Sequence, residues 1–178
     1  MSKNRCSWAG PDEIYIKYHD EEWGIPTHDD RELFEMLVLE SFQAGLSWIT
    51  ILKKRQNFKK AFDDFDVEKV AGYGESKISE LLENEGIIRH KGKIASAINN
   101  AQVFIEIQKE FGSFDSYIWS FTDGEIIKAE YLTESDLSKD ISKDLKKRGM
   151  KFVGPTIIYS YLESIGIIDN HQEGCFRY

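Results

Sequence analysis

Apolar residues recur at the spacing of an α-helix along most of the chain. In residues 91–111, for example, Ile94, Ala97, Ile98, Ala101 and Phe104 follow one another at intervals of three, one, three and three residues. This spacing places them on one face of a helix. Strand-like alternation is nearly absent, and glycines stand mostly where helices would stop. The pattern therefore predicts an all-α protein.

The same spacing and the helix-capping residues predict the order of the elements. A short helix is expected over residues 13–19, and a long helix begins near Glu32, where Asp29 or Asp30 could cap it. Further helices are predicted to end near residue 62 and to cover 67–72, 75–83, 91–111, 135–148 and 156–165, and a short helix or a turn is predicted at 114–121. A break is expected at 86–90, and an irregular or briefly extended segment at 125–132. Because no linker, repeat or low-complexity tract divides the chain, one domain is predicted over residues 1–178.

The most apolar stretch of the chain, from Leu33 to Leu52, contains the carboxylate of Glu40. Read as a helix, this stretch is apolar on nearly every side, so Glu40 should be buried. A buried carboxylate is costly unless it is paired, protonated or used in a site. The pattern alone leaves two interpretations equally open: an ion pair with a nearby Arg or Lys that holds the core, and a place in a functional site.

Composition and charge limit the class of protein. Hydrophobic residues make up 41% of the chain and charged residues 30%, which is ordinary for a soluble globular protein. No uninterrupted apolar run reaches bilayer length and the first residues lack a signal-peptide core, so we expect a cytoplasmic protein with no membrane partner. The net charge of −8 argues mildly against a nucleic-acid partner, although a local basic patch can still bind phosphates. Basic clusters at 53–60, 89–93 and 146–151 are by default solvated helix faces.

The connection between the last two predicted helices could bind phosphate. It carries Gly149 and Gly154, and Pro155 stands at the first turn of the second helix, where proline is common. Free N–H groups and the positive end of the helix dipole would then face an open turn. An ordinary connection between two helices is the alternative. The cations that flank the turn are Lys146, Lys147, Arg148 and Lys151.

The two cysteines stand near opposite ends of the chain. His171 and Cys175 are four residues apart, a spacing compatible with one zinc ion. Cys6 and His19 could complete a Cys2His2 set, although their separation is not a standard zinc-finger interval. Such a site would be closed and structural, and would tie the two ends of the chain together. Two unrelated thiols and an end-to-end disulfide are the alternatives.

Aromatic residues are dense near the N-terminus. In a small domain aromatic residues usually belong to the core. Beside a buried glutamate, however, they could also line a pocket for a flat, cationic base. The residues concerned are Trp8, Tyr15, Tyr18, Trp23 and Trp48.

Together these motifs resemble the DNA-3-methyladenine glycosylase I family, of the helix-hairpin-helix superfamily of base-excision glycosylases. The matching stretches are residues 5–8, 15–24, 39–55, 86–93, 147–154 and 171–175, in the family's order. The resemblance implies a single helical domain of the helix-hairpin-helix glycosylase type, with that element at about 144–162 and terminal segments joined by structural zinc. It also implies an enzyme that flips out and hydrolytically excises 3-methyladenine from double-stranded alkylated DNA, initiating base-excision repair. No organic cofactor is implied, and a monomer is the default expectation.

The resemblance also assigns individual residues. Glu40 matches the family's acidic residue that contacts the methylated base. Residues Gln43, Gly45 and Leu46 resemble the loop that fills the space left by the flipped nucleotide. The phosphate-gripping hairpin would use Gly149, Lys151, Gly154 and Thr156. The base pocket maps onto Tyr15, Tyr18 and Trp48, with Trp8 and Trp23 close by, and the zinc ligands map onto Cys6, His19, His171 and Cys175.

The expected chemistry is simple because an N3-methylated adenine is already cationic and leaves readily. Glu40 is therefore better described as a recognition carboxylate than as a strong general base. Relatives with lyase activity carry a nucleophilic lysine in the hairpin, where this chain has the residues 153–156, Val-Gly-Pro-Thr. A monofunctional glycosylase is predicted. Asp169 lies roughly where many relatives carry a catalytic aspartate, but it adjoins His171 and is not assigned that role.

Overall fold

The computed structural model describes residues 3–130 and 132–178. In these residues the chain forms nine α-helices, two 3₁₀ turns (Ser7–Ala9 and Asp63–Phe65) and two short strands. The helices are α1 (Glu13–Glu21), α2 (Asp30–Gln43), α3 (Trp48–Ala61), α4 (Val67–Ala71), α5 (Glu75–Glu83), α6 (Lys91–Phe111), α7 (Phe114–Ser120), α8 (Asp136–Lys147) and α9 (Pro155–Ser164). The strands β1 (Ile127–Lys128) and β2 (Ile168–Asp169) pair in parallel. The all-α prediction is confirmed.

Side-chain caps explain why the predicted helix starts are close to the observed ones. The Asp29 carboxylate accepts a hydrogen bond from the Glu32 N–H at 3.1 Å and caps α2. Asp30 has a different task, because its carboxylate accepts the N–H groups of Phe114 and Asp115 at the start of α7. No helix in residues 3–130 or 132–178 combines the length and the apolar character that crossing a bilayer demands.

Helix α2 occupies the centre of the fold. All residues from Leu33 to Phe42 are buried, and α2 packs against α3, α6, α7 and α9. Ring pairs hold part of this core, such as Phe34 with Phe104 at a centroid distance of 5.2 Å. Any polar side chain between Leu33 and Phe42 is therefore enclosed by other helices.

The apolar stretch at residues 33–52 is two helices rather than one. Helix α2 ends at Gln43 and α3 begins at Trp48. The Nζ of Lys93, in α6, donates to the carbonyl oxygens of Phe42 at 2.9 Å and Ala44 at 2.6 Å. These bonds satisfy carbonyls that the end of a helix leaves without a partner. A side chain from a distant helix thus stabilises the break, which periodicity could not indicate.

The basic cluster at residues 53–60 is only partly a solvated helix face. Arg55 donates to the carboxylates of Glu35 and Glu22, each at 2.7 Å, and only 17% of its side chain is exposed. Glu35 is itself buried in α2, and Lys59 lies 3.7 Å from the same carboxylate. The ion pairs tie α3 to α2 and to the end of α1, so Arg55 serves the core.

The turn after α9 lies directly against the N-terminal part of the chain. Gly166 has a φ of +80°, and a Cβ there would lie 2.4 Å from backbone atoms of Ile25 and Pro26. The N–H of Thr27 donates to the carbonyl of Ile165 at 2.9 Å beside this contact. Only glycine allows the two backbones to come so close.

We predict that Gly166→Ala destabilises the fold far more than Gly112→Ala. Both glycines have positive φ, but a Cβ at Gly112 would meet nothing within 4 Å. Backbone strain alone should therefore lower the free energy of unfolding by about 1 kcal/mol at residue 112. At residue 166 the added clash should raise the loss to roughly 3 kcal/mol or more. Urea denaturation measures both losses, and equal losses would contradict the role given to the close contact.

Candidate functional site

A cavity of about 240 Å³ opens between α1, α2, α3 and α9. It contains every aromatic residue that the sequence predicted for a pocket, together with Glu40 and Gln43. It also contains two polar residues that the sequence interpretation missed. The lining residues are Trp8, Tyr15, Tyr18, Trp23, Glu40, Gln43, Trp48, Ser160 and Glu163.

Glu40 is 4% exposed and lines this cavity from α2. Within residues 3–130 and 132–178, no hydrogen bond or ion pair holds its carboxylate. The cation that could have paired with a glutamate of α2 is Arg55, and it binds Glu35 instead. Burial raises the pKa of Glu40 well above its usual range, and the nearby Glu163 carboxylate raises it further. Of the two interpretations of Glu40, the structure favours the functional site.

Glu163 is a second buried carboxylate on the cavity wall. It is 8% exposed, and its Oε2 accepts a hydrogen bond from Asn170 Nδ2 at 3.1 Å. The same Nδ2 lies 2.7 Å from the hydroxyl of Tyr159. Burial raises the pKa of Glu163 to about 7 although the Asn170 bond lowers it. The sequence could have indicated Glu163, because it stands in an apolar helical stretch just as Glu40 does.

Aromatic rings form the walls of the cavity. Trp8 packs edge-on against Tyr15 at 5.2 Å and Trp23 at 4.8 Å, and Tyr18 lies 5.6 Å from Trp48, all between ring centroids. Trp48 Nε1 is buried and has no hydrogen-bond partner among the described residues. Burial, and then the Glu40 charge, raise the pKa of both phenols, so Tyr15 and Tyr18 stay protonated. The cavity suits a flat ring that offers positive charge to a carboxylate.

Beside the cavity, Cys6, His19 and Cys175 converge from both ends of the chain. All three residues are buried, and their ligand atoms lie within 4.8 Å of one another. Cys175 Sγ lies 3.5 Å from His19 Nε2. Both cysteines are free, which disfavours the end-to-end disulfide. Two thiols and an imidazole at these distances are a donor set for a metal ion.

His171 lies next to this cluster. Its ring centroid is 5.5 Å from that of His19, and its Nε2 is buried without a hydrogen-bond partner among the described residues. Its Nδ1 lies 2.7 Å from a carboxylate oxygen of Asp169. A histidine held by a carboxylate through one nitrogen, with the other free, is typical of a metal ligand. Gly24 makes room for this ring, since a Cβ there would lie 2.7 Å from His171 Cε1.

His19 is held in the same manner. Its Nδ1 lies 2.9 Å from the Asp20 carboxylate, which in turn accepts two hydrogen bonds from Arg5 at 2.8 and 2.7 Å. The Arg5 guanidinium lowers the pKa of Asp20 to about 2. Asp20 therefore remains ionised and keeps the Nε2 of His19 turned toward the two thiols.

The metal-like cluster forms the rear of the aromatic wall. The Trp23 ring lies 4.7 Å from that of His171, and the Trp8 ring lies 5.2 Å from that of His19, between centroids. Both tryptophans also line the cavity. The packing of the two chain ends against each other therefore determines the shape of the pocket.

The predicted insertion loop lies at the rim of the cavity, between α2 and α3. Gln43 Nε2 donates to the carbonyl of Leu46 at 2.7 Å and so folds the loop back on itself. The side chain of Leu46 is 37% exposed, and Gly45 is exposed beside it. The loop presents an apolar tip close to the opening.

The connection between α8 and α9 is held from α6. Asn100 is 2% exposed and bonds both the N–H and the carbonyl of Lys151, at 2.9 and 2.8 Å. Asn99 donates to the carbonyl of Gly149 at 2.7 Å, and Gly149 has a φ of +103°. These bonds fix the backbone of the turn while the side chains of Lys151 and Thr156 remain exposed.

Two predicted features of this turn need refinement. Arg148 is not a free cation, because it binds the carboxylates of Glu110 and Asp144 at 2.7 and 2.8 Å. Gly154 is the N-cap of α9 without a side-chain cap, its φ is an ordinary −62°, and a Cβ there would meet nothing within 4 Å. The start of α9 is therefore open. The backbone conformation at residue 154 does not require glycine.

Comparisons with known proteins agree on one family. A family model described as methyladenine glycosylase matches residues 8–178. The chain is 44% identical over 180 residues to DNA-3-methyladenine glycosylase 1 of Escherichia coli (strain K12), with 98% of this chain and 96% of that protein covered. It is 41% identical over 177 residues to DNA-3-methyladenine glycosylase of Haemophilus influenzae (strain ATCC 51907 / DSM 11121 / KW20 / Rd), with 96% of each covered.

Solved structures agree with this match. A crystal structure of 3-methyladenine DNA glycosylase I (TAG) superposes with a TM-score of 0.94 at 45% identity, covering 97% of this chain and 98% of that chain. A second structure, of the Staphylococcus aureus protein and described as the structural basis of 3-methyladenine recognition, has a TM-score of 0.94 at 38% identity. The match covers 99% of this chain and 97% of that one.

We predict that Lys93→Met loosens the loop at residues 44–47. The methionine keeps the apolar stem but loses the two bonds to the carbonyls of Phe42 and Ala44. Amide hydrogen exchange in the loop should accelerate by about tenfold or more. Lys91→Met, at an exposed position of the same helix, is the control. Unchanged exchange in the Lys93 variant would show that the loop does not depend on these bonds.

Proposed function

The chain belongs to the methyladenine glycosylase family, and we propose that its aromatic cavity is the pocket in which the extruded base is bound and excised. The enzyme removes 3-methyladenine from DNA and thereby initiates base-excision repair. One observation carries the proposal for the site: the Glu40 carboxylate is buried, unpaired among the described residues and surrounded by aromatic rings. A cationic base supplies the partner that this carboxylate lacks.

The residues of the pocket act mainly by binding the base as it leaves. An N3-methylated adenine in DNA is cationic, so its N-glycosidic bond breaks without further protonation of the base. The rings of Tyr15, Tyr18 and Trp48 stack on the extruded base, and Glu40 contacts its edge. The unpaired Nε1–H of Trp48 is free to donate to an acceptor on the base. Contacts that strengthen while the bond breaks lower the barrier.

The excision needs no covalent intermediate with the protein. Neither lysine nor any other amine is among the residues that line the described cavity. In the hairpin, residues 153–156 carry no lysine, and Lys151 is exposed. Water is therefore the acceptor of the sugar, as in a monofunctional glycosylase.

We propose that two elements bind the DNA, the loop at residues 43–46 and the hairpin at residues 148–156. Helix α6 supports both, through Lys93 at the loop and Asn100 at the hairpin. These two residues are about 10 Å apart along a helix with a rise of 1.5 Å per residue. Lys151 and the open start of α9 supply positive potential for phosphate, which explains how a chain with a net charge of −8 binds DNA.

We further propose that the metal ion is zinc and that it is structural. Cys6, His19 and Cys175 would hold it, and the buried, unpaired Nε2 of His171 makes this residue the fourth ligand. Four protein ligands leave no position for a reactive water. The ion would connect the two ends of the chain directly behind the tryptophans of the pocket.

We predict that Glu40→Gln abolishes most of the excision activity. Removing one buried group that interacts with transition-state charge lowers the rate by about a hundredfold or more. Release of free 3-methyladenine from methylated DNA measures the effect. Glu125→Gln, the same change at an exposed position, should be as active as the wild type. Full activity of the Glu40 variant would refute the role of this carboxylate.

Metal analysis of the purified, reduced protein should find about one zinc ion per chain. Cys175→Ser should lose the metal and lower Tm by about 10 °C, because binding of the metal contributes to the free energy of folding. Cys175→Ala should behave in the same way. A folded, reduced wild type that holds no metal would contradict the proposed zinc site.

Lys151→Gln should weaken binding to damaged and undamaged duplexes alike. Loss of one phosphate contact lowers the slope of log affinity against log salt concentration by about one. Fluorescence anisotropy at several salt concentrations measures the slope. Lys109→Gln, at the far end of α6, is the matched control. A loss confined to the duplex with the lesion would assign Lys151 to base recognition instead.

A further inference from the structure

A surface groove of about 480 Å³ lies between the first half of α6 and the hairpin at residues 148–156. The two elements supply its lining residues, which are Gly92, Ala95, Ser96, Asn99, Lys151 and Phe152. The hairpin is fastened to α6 beside the groove, because Asn100 bonds the N–H and the carbonyl of Lys151 at 2.9 and 2.8 Å. The backbone on both sides of the groove is therefore held in place by contacts within the protein.

The groove lies between the two elements that are proposed to bind DNA. On one side, Lys93 donates to the carbonyl of Ala44 at 2.6 Å and attaches the loop at residues 43–46 to the first turn of α6. On the other side is the hairpin itself, which supplies one wall of the groove. A duplex that contacts both the loop and the hairpin therefore passes over the start of α6.

The charges around the groove are positive. Of the described residues that line it, none is an aspartate or a glutamate. Lys151 belongs to the wall, and Arg89 and Lys91 flank His90, whose ring centroid lies 6.2 Å from that of Phe152. All three cations are exposed, and among the residues that the structure describes no hydrogen bond or ion pair engages their charged groups. These charges are available to an anionic partner.

A second groove, of about 540 Å³ at the end of α3, shows a different charge pattern. Lysines line that groove too, but Asp63, Asp64 and Asp66 line it with them. Its arginine, Arg31, is paired with Asp64 at 3.2 Å. The charges there are largely balanced within the protein. In a chain with a net charge of −8, a groove with cations and no lining carboxylate is complementary to a phosphate backbone.

Phe152 gives the groove an apolar wall. Its side chain is 39% exposed, although it is large and apolar. Its φ is +54°, a backbone conformation that is unfavourable for a residue with a Cβ. The local backbone thus favours glycine at this position, and the exposed part of the ring is free to contact a partner. In DNA, the deoxyribose offers an apolar surface directly beside the phosphates.

We propose that this groove holds the sugar–phosphate backbone of the bound DNA between the loop and the hairpin. Arg89 and Lys91 contact phosphates alongside Lys151, and the ring of Phe152 packs against a deoxyribose. The inference rests on the proposed function and deepens it, because it identifies the path of the DNA across the protein. Such contacts position a duplex and do not read its sequence. The start of α6 is thus a third DNA-binding element and not a solvated helix face.

Two charge substitutions test the phosphate contacts. The double variant Arg89→Gln, Lys91→Gln is compared with Lys60→Gln, Lys109→Gln, which removes the same charge at exposed positions in the last turns of α3 and α6. Fluorescence anisotropy with an undamaged duplex gives the affinity at several salt concentrations. The slope of log affinity against log salt concentration should become less steep by about two in the first variant. The control should keep the wild-type slope, and a wild-type slope in the first variant would overturn the proposal.

Phe152→Ala tests the sugar contact, with Leu132→Ala as the control for loss of an exposed apolar side chain. The affinity for damaged and undamaged duplexes should fall alike, by about fivefold. The salt slope should stay at the wild-type value, because no charge is lost. Wild-type affinity in a folded Phe152 variant, or a loss confined to the duplex with the lesion, would overturn the sugar contact. If this variant does not fold, the charge substitutions at exposed positions remain decisive.

The excision assay separates this inference from the proposed function. A wild type that releases 3-methyladenine from methylated DNA, together with an unchanged salt slope in the Arg89 and Lys91 variant, would overturn the path of the DNA alone. A wild type that releases no 3-methyladenine would overturn the proposed function. The binding measurements with undamaged DNA would then still decide whether the groove holds a DNA backbone.

Discussion

The enclosure of helix α2 is the constraint on which the rest of the structure depends. Because four helices pack around it, each of its buried carboxylates must be neutralised from another element or remain available to a ligand. Glu35 meets Arg55, and the ion pair fastens α3 to the core. Glu40, five residues later, meets aromatic rings and a second carboxylate. One buried helix thus provides both a structural ion pair and the acidic group of the pocket.

The pocket also depends on contacts between the two ends of the chain. Trp8 and Trp23 lie between the cavity and the cluster of Cys6, His19 and Cys175. Close backbone contact at Gly166 and the space beside Gly24 allow the C-terminal segment to reach this position. A metal ion bound there would order the tryptophans without being part of the cavity wall. In the proposed function, stability and base recognition are therefore coupled through the same aromatic wall.

Helix α6 links the remaining parts of the site. Lys93 holds the loop at the rim of the cavity, and Asn99 and Asn100 hold the turn before α9. All three side chains bond to backbone atoms, so they determine the position of the loop and the turn and leave the exposed side chains free for a partner. A rigid helix that carries both elements keeps the distance between the pocket opening and the hairpin constant, as the proposed binding of a regular duplex requires.

The sequence alone was sufficient for features that depend on local spacing and on the identity of single residues. Helical periodicity and caps located α5 and α6 at their observed bounds, and the apolar surroundings of Glu40 predicted its burial correctly. The family resemblance was confirmed by relatives matched over nearly the full chain.

Only the tertiary structure decided which side chains meet. Lys93 stabilises the break after Gln43, Arg55 and Arg148 are occupied by ion pairs, and Glu163 joins Glu40 in one cavity. These outcomes depend on contacts between residues far apart in the chain, and periodicity reports only which face of a helix is buried, not which charge lies opposite.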